Sequence, residues 1–239
     1  MWFKKTANLT ACTFDPSYVG TCPPEYKKQA TPDWLKKLKN FAITWDDRSK
    51  IAIKNPTAGV CPGIRSFLND PITINMWADM EIRVFPDGTW THYTRPMWGV
   101  SVVEHNKEQF GEAYNKRLSL KLESPWHFVC DKPIKFMFME SHYSTSYFRD
   151  LNVLFPPGII EYKYQHSTNV HLSVPIPENE PYIISLRHGQ PLVSLFPMTE
   201  TPINFDVKLV SRDEYGLQSD IMPKMFIGRY FKQPGMKSK

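Results

Sequence analysis

Two short stretches carry side chains that could move protons around a phosphate. In "THYT", residues 91 to 94, His92 is followed two positions later by Thr94. In "NVHLSV", residues 169 to 174, His171 is followed in the same way by Ser173. Residues two apart on a strand share a face. Two such pairs facing one cleft could cut a phosphodiester, each histidine passing a proton and each hydroxyl holding a phosphate oxygen. The pattern fixes only two positions, however. His142 with Ser144 and His166 with Thr168 match it too, so the polar face of any half-buried strand accounts for it equally well.

Other chemistry has less support. A non-haem iron site on a β scaffold needs two histidines and a carboxylate, commonly as His-x-Asp/Glu with a distant His. No His-x-Asp or His-x-Glu occurs, nor do two histidines one residue apart. His166 and His171 are five apart, which places them on opposite faces of one strand. No metal and no cofactor is expected. Cys130 has His127 three positions before it, again on the other face, so it reads as a structural thiol rather than an activated nucleophile. No glycine-rich phosphate loop and no nucleophile elbow appears. In "NMWADMEIR", Trp77 and Asp79 would share a strand face, with Trp126 placed to approach from another sheet. These three form a candidate pocket or contact surface for a sugar or a base. The alternative is a tryptophan core with Asp79 bonding a loop.

Strands must position these residues. "ITINMWADMEIRVF" alternates apolar and polar residues. "PDG" at 86 to 88 turns it into the returning strand "TWTHYTR". From residue 118 onward, "LSLKLE", "WHFV", "IKFMFME", "IIEYKY", "VHLSVPI", "YIISLRH", "LVSLFPM" and "INFDVKLV" follow one another. Turns rich in proline and glycine separate them. Helices are few. "TPDWLKKLKNF" has Thr31 as N-cap and Pro32 at the first helical position, "CPGIRSFLND" opens on Pro62, and "NKEQFGEAYNKR" spans 106 to 117. A mostly β fold of the β-sandwich or jelly-roll (cupin-like) class follows. Residues 1–50 are expected as an extended N-terminal arm with a short helix, and 51–239 as the β domain.

Composition narrows the classes further. In 239 residues there are 21 prolines against 11 glycines, and 14% of residues are aromatic. That is a globular chain of short strands and rigid turns, large enough to bury a core without disulfides. The net charge of +5 is spread along the chain, unlike the focused patch of a nucleic-acid binder. The four cysteines show no Cys-x-x-Cys spacing, so neither a zinc site nor a disulfide framework is expected. No secretory signal and no apolar run of membrane-spanning length is present.

Several motifs in sequence order resemble an uncharacterised family encoded by tailed phages, T4-like cyanophages among them, and by some bacteria. They are "TPDWLKKL", "CPGIRSFLND", the Trp-x-Asp of "MWADMEIR", Pro125-Trp126, Pro157 to Ile160, and the closing Gly189 to Pro197. The resemblance covers about residues 31 to 215 and departs at "DKPIKFMF", where the family has a Thr-Pro-x-Gly-Tyr-Ser-like turn. It implies a β-rich fold and a phage genome, and no catalytic residue.

A non-enzymatic phage protein is therefore expected, structural or assembly-related, found in the virion or in the host cytoplasm during infection. Its partners would be other phage proteins, possibly itself as a homo-oligomer, and neither nucleic acid nor membrane. Two alternatives stand beside it. One is a small enzyme on a β scaffold, two-histidine phosphoesterase-like with His92, Thr94, His171 and Ser173, or cupin-like. The other is a host-directed binding protein.

Overall fold

The structure is a computed structural model. It describes residues 6–26, 32–95, 101–105, 116–143 and 147–217. Among the described residues, sixteen strands in five sheets make a mostly β fold of the sandwich class, with no closed barrel. The N-terminal stretch lies inside this domain. Strand β1 (Ala7–Thr13) is the middle strand of a sheet, antiparallel to β10 (His127–Cys130) and parallel to β16 (Ile203–Leu209). Ala7, Leu9 and Ala11 are fully buried on its inner face. On its outer side, Asn8 donates from its backbone N and from Nδ2 to the Asp131 carboxylate, at 2.9 and 2.8 Å. Asn204 donates from Nδ2 to Asn8 Oδ1. These polar bonds tie all three strands together on the face opposite the core. The Asn8 bonds also hold the Asp131 carboxyl below its ordinary range.

Three further sheets share the core. One has the order β12 (Gly158–Glu161), β11 (Lys135–Glu140), β15 (Pro191–Pro197), β5 (Ile72–Asn75) and β2 (Glu25–Tyr26), antiparallel throughout. The second runs β13 (Val170–Pro175), β9 (Arg117–Glu123), β8 (Ser101–Glu104). The third runs β14 (Tyr182–Leu186), β6 (Asp79–Val84), β7 (Trp90–Arg95). Alternation decides which side chains go inward. On β6, Met80, Ile82 and Val84 are buried while Asp79, Glu81 and Arg83 are exposed. On β9, Leu118, Leu120 and Leu122 face the core. One apolar cluster joins side chains from these four sheets, with Trp77, Trp126, Phe128 and Tyr162 among its largest members.

The expected hairpin at "PDG" forms between β6 and β7. Gly88 takes φ +81°, and Asp87 Oδ1 accepts bonds from the Thr89 N–H and Oγ1. Helices are short: α1 (Pro16–Thr21), α2 (Asp33–Lys36), α3 (Pro62–Asn69) and α4 (Tyr147–Asp150). Helix α2 has Pro32 at its N-cap position and buries Leu35, while Trp34 reaches out to the Tyr143 carbonyl. Thr31, expected as the cap, lies outside the described residues, as does 106–115 of the helix expected over 106–117. Among the described residues no helix is long and apolar enough to cross a membrane.

The fifth sheet stands apart. Strands β3 (Phe41–Asp46) and β4 (Ile51–Pro56) pair only with each other, and none of their side chains belongs to the core cluster. The domain boundary expected at residue 50 falls in the turn of this hairpin. The first fifty residues, read as carrying little strand pattern, thus contain a central core strand and half of a projecting hairpin.

Central placement of β1 has a measurable cost when disturbed. Leu9→Ala should destabilise the protein by about 2–5 kcal/mol in denaturant unfolding at unchanged m-value. A detached arm would give less than about 0.5 kcal/mol.

Candidate functional site

The two histidine–hydroxyl pairs sit in different sheets. His92 is exposed on β7, its ring 5.7 Å from that of Trp90. Thr94 is buried opposite Met80. His171 and Ser173 lie on β13, where Ser173 is almost fully buried and its Oγ accepts from Arg117 Nε at 2.7 Å. The Ser173 main chain is bonded to Leu154 in both directions. Both hydroxyls that would have held a phosphate are thus turned into the protein. No hydrogen bond or ring contact joins His92 to His171.

His171 has its own neighbours. Its ring lies 5.0 Å from His105, and Lys121 is its cross-strand partner on β9. Burial, then the nearby His105 and Lys121, push its pKa down to about 4. An imidazole with that pKa is neutral near pH 7 and has no proton to give as a general acid. It lines a cavity of about 270 Å³ with Phe138, Pro157, Ile159, Ser167 and Asn169, at the small end of ligand-sized pockets.

Trp77, Asp79 and Trp126 are also separated. Trp77 precedes β6 and is 2% exposed; Trp126 precedes β10 and is 0% exposed. Their rings belong to the core and leave no surface for a sugar or base. Trp77 and Asp79 do not share a strand face, because the strand begins at Asp79 and alternation does not extend back to the tryptophan. Asp79 is exposed and its Oδ1 accepts from the His188 N–H at 3.0 Å, which is the loop-bonding role weighed as its alternative. It lines a shallow cavity of about 200 Å³ with Glu81, Tyr93, Arg95 and Arg187.

Three of the four thiols, Cys12, Cys22 and Cys130, are buried and the fourth, Cys61, is half-buried. None of the four cysteines is in a disulfide. Burial pushes the Cys22 thiol up to about 11, and its Sγ donates to the Met76 carbonyl. Among the described residues no three His, Cys, Asp or Glu side chains gather as metal ligands would.

The surface feature that breaks the ordinary rules is the β3–β4 hairpin. Phe41, Ile43 and Trp45 are 44, 77 and 61% exposed, and Ile51 and Ile53 are 56 and 39% exposed. Register places Phe41, Ile43 and Trp45 on one face with Ala52, Lys54 and Pro56. Lys54 Nζ lies 4.3 Å from the centre of the Phe41 ring. The other face carries Thr44, Asp46, Ile51, Ile53 and Asn55, with Asn55 Nδ2 bonded to Thr44 Oγ1. Asp46 closes the turn by accepting from the Arg48 N–H and from Ser49 Oγ, which lowers its pKa. Lys50 completes the turn at φ +56°, an αL position usual for the last residue of such loops. A lone two-stranded hairpin is marginally stable in water. Five large apolar side chains are held in solvent on this scaffold. The sequence signal was present, since Phe41, Ile43 and Trp45 alternate with Ala42 and Thr44, and Ile51 and Ile53 resume the pattern after a polar turn.

No protein-family model matches the chain, and a search of curated proteins finds no match either.

Burial of His171 generates a pH dependence. Its folded-state pKa lies below the ordinary 6.5, so the unfolded chain binds the proton more readily between those values. The stability tied to its neutral form is present above about pH 6.5 and is lost as pH falls toward 4. Wild type should lose about 2 kcal/mol more than His171→Gln across that window, allowing for partial solvent screening. Urea unfolding at matched pH values measures the difference.

Proposed function

We propose that this chain is a non-enzymatic phage protein, a structural or assembly component of the virion that works through protein–protein contacts. The observation that carries this reading is the β3–β4 hairpin, with Phe41, Ile43, Trp45, Ile51 and Ile53 exposed outside the core. Large apolar and aromatic side chains exposed together suit a contact between proteins. The order of the motifs shared with the tailed-phage family supports a phage origin. Other phage proteins, or a second copy of the chain, would be the partners, and the virion or the host cytoplasm during infection the location.

The enzymatic alternatives fit the geometry poorly. The two histidine pairs occupy separate sheets, their hydroxyls are buried, and His171 is held neutral. A host-directed binder would use the same hairpin, so particle composition is what separates the two.

Mass spectrometry of density-purified particles of the encoding phage should find peptides of this chain at a constant ratio to the major structural proteins. Absence from particles, with abundance in the infected-cell lysate, would overturn the virion assignment.

A further inference from the structure

Away from the hairpin, the cavity beside His171 is built from two extended stretches of chain with unlike surfaces. One runs through Pro156, Pro157 and Gly158 to Ile159 and Ile160 of β12, with Phe138 of β11 as the cross-strand partner of Gly158. The other carries Gln165, Ser167, Asn169 and His171, all of which line the cavity. Between them His166, Thr168 and Val170 are buried, so every second residue from 165 to 171 turns toward the cavity. The bridge from Ser167 to His127 and the start of β13 at Val170 hold this stretch extended. Successive polar groups along it therefore stand about 6.6 Å apart.

Charge and shape narrow what can enter. Among the described residues no Asp, Glu, Lys or Arg lines the cavity. His171 is neutral near pH 7, and the Lys121 opposite it is paired with Glu123 at 2.8 Å. A charged ligand would thus lose its hydration and meet no counter-charge. The Phe138 ring is 4% exposed, and the His171 ring already lies against His105. Neither offers the open face on which a base or a sugar ring would stack. What fits is a guest with aliphatic side chains and neutral groups that both donate and accept. Each carboxamide of Gln165 and Asn169 has two N–H donors and one carbonyl, the complement of a peptide group. Among the described residues neither side chain is hydrogen-bonded to the rest of the protein.

We propose that this cavity binds an uncharged, extended peptide segment of a partner protein. Gln165 and Asn169 bond its main chain, and the proline–isoleucine wall takes its aliphatic side chains. An extended guest repeats every two residues at the same spacing of about 6.6 Å, so a single register serves the whole polar row. Main-chain bonds then supply affinity and alternate side chains supply preference, as in other recognition of extended peptides. At about 270 Å³ the cavity takes a few residues of such a segment and is too small for a helix about 10 Å across. This contact is separate from the β3–β4 hairpin.

Titration of the isotope-labelled full chain with acetyl-Val-Ala-Val-amide, followed by amide chemical shifts, tests the proposal. Wild type should bind with a dissociation constant of about 0.1–1 mM, with shifts centred on residues 156–160 and 165–171. The same peptide methylated on its main-chain nitrogens keeps its side chains but has no N–H to give between residues. It should bind about fivefold or more weakly. Asn169→Ala should weaken the unmodified peptide to a similar degree while keeping the wild-type circular dichroism and melting temperature. Uridine and methyl glucoside should give no saturable shift. Absence of saturable binding at roughly 10 mM peptide would overturn the proposal. So would shifts centred elsewhere, equal binding of the methylated peptide, or tighter binding of uridine or the glucoside. The titration reads this cavity alone, so its failure overturns the peptide cleft and leaves the particle assignment to its own measurement.

Discussion

Backbone hydrogen bonding on both edges of β1 is the interaction on which the rest of the domain depends. A central strand must find partners on each side, because unpaired N–H and C=O groups cannot be buried without cost. β1 finds β10 on one side and β16 on the other, and the two flanking strands come from distant parts of the chain. With the backbone satisfied, Ala7, Leu9 and Ala11 can be buried completely. Their small and medium side chains leave room for the large rings of Phe128 and Phe205, which stack nearby. The N-terminal segment therefore closes the core rather than decorating it.

The same rule explains why the hairpin differs from everything else in the fold. Elsewhere several polar side chains bridge strands and sheets. Arg117 donates to Ser173 Oγ, the Ser173 carbonyl and the Asn152 carbonyl. Trp90 Nε1 donates to Glu104 Oε2 across two sheets at 2.7 Å. Of the residues that looked capable of chemistry, Ser173 is bonded to Arg117 and Asp79 to the His188 N–H. The apolar side chains of β3 and β4 lie outside the core cluster and are exposed together on one hairpin.

Much of the fold was legible in the sequence because period-two alternation survives wherever one face is buried. Strands β6, β7, β13 and β16 lie within the segments that showed it, β9 and β15 each begin one residue earlier, and the turn at Gly88 followed from its three residues. Strand β1 was hidden because alanine, cysteine and threonine alternate too weakly to stand out, and its partners lie far away in sequence. β3 and β4 were missed for another reason: they sit in a segment rich in lysine, and their turn has no glycine to announce it, only Lys50 at a positive φ. At the candidate sites, spacing correctly paired side chains within a strand. It could not say which sheet each strand joins, and that separated His92 from His171. Nor could it show where a strand begins, which put Trp77 in the core and left Asp79 at the surface.

The parallel pairing of β1 with β16 also sets a timetable for biosynthesis. Asn8 and Asn204 are bonded across 196 residues. At ordinary translation speeds roughly 10–40 s separate the emergence of the two strands from the ribosome. Over that interval β1 has neither flanking strand for most of the time, because its earlier partner, β10, follows it only at residues 127–130. Long-range pairing of this kind makes for slow folding. The nascent chain must carry β1 with one edge unpaired until β16 has emerged.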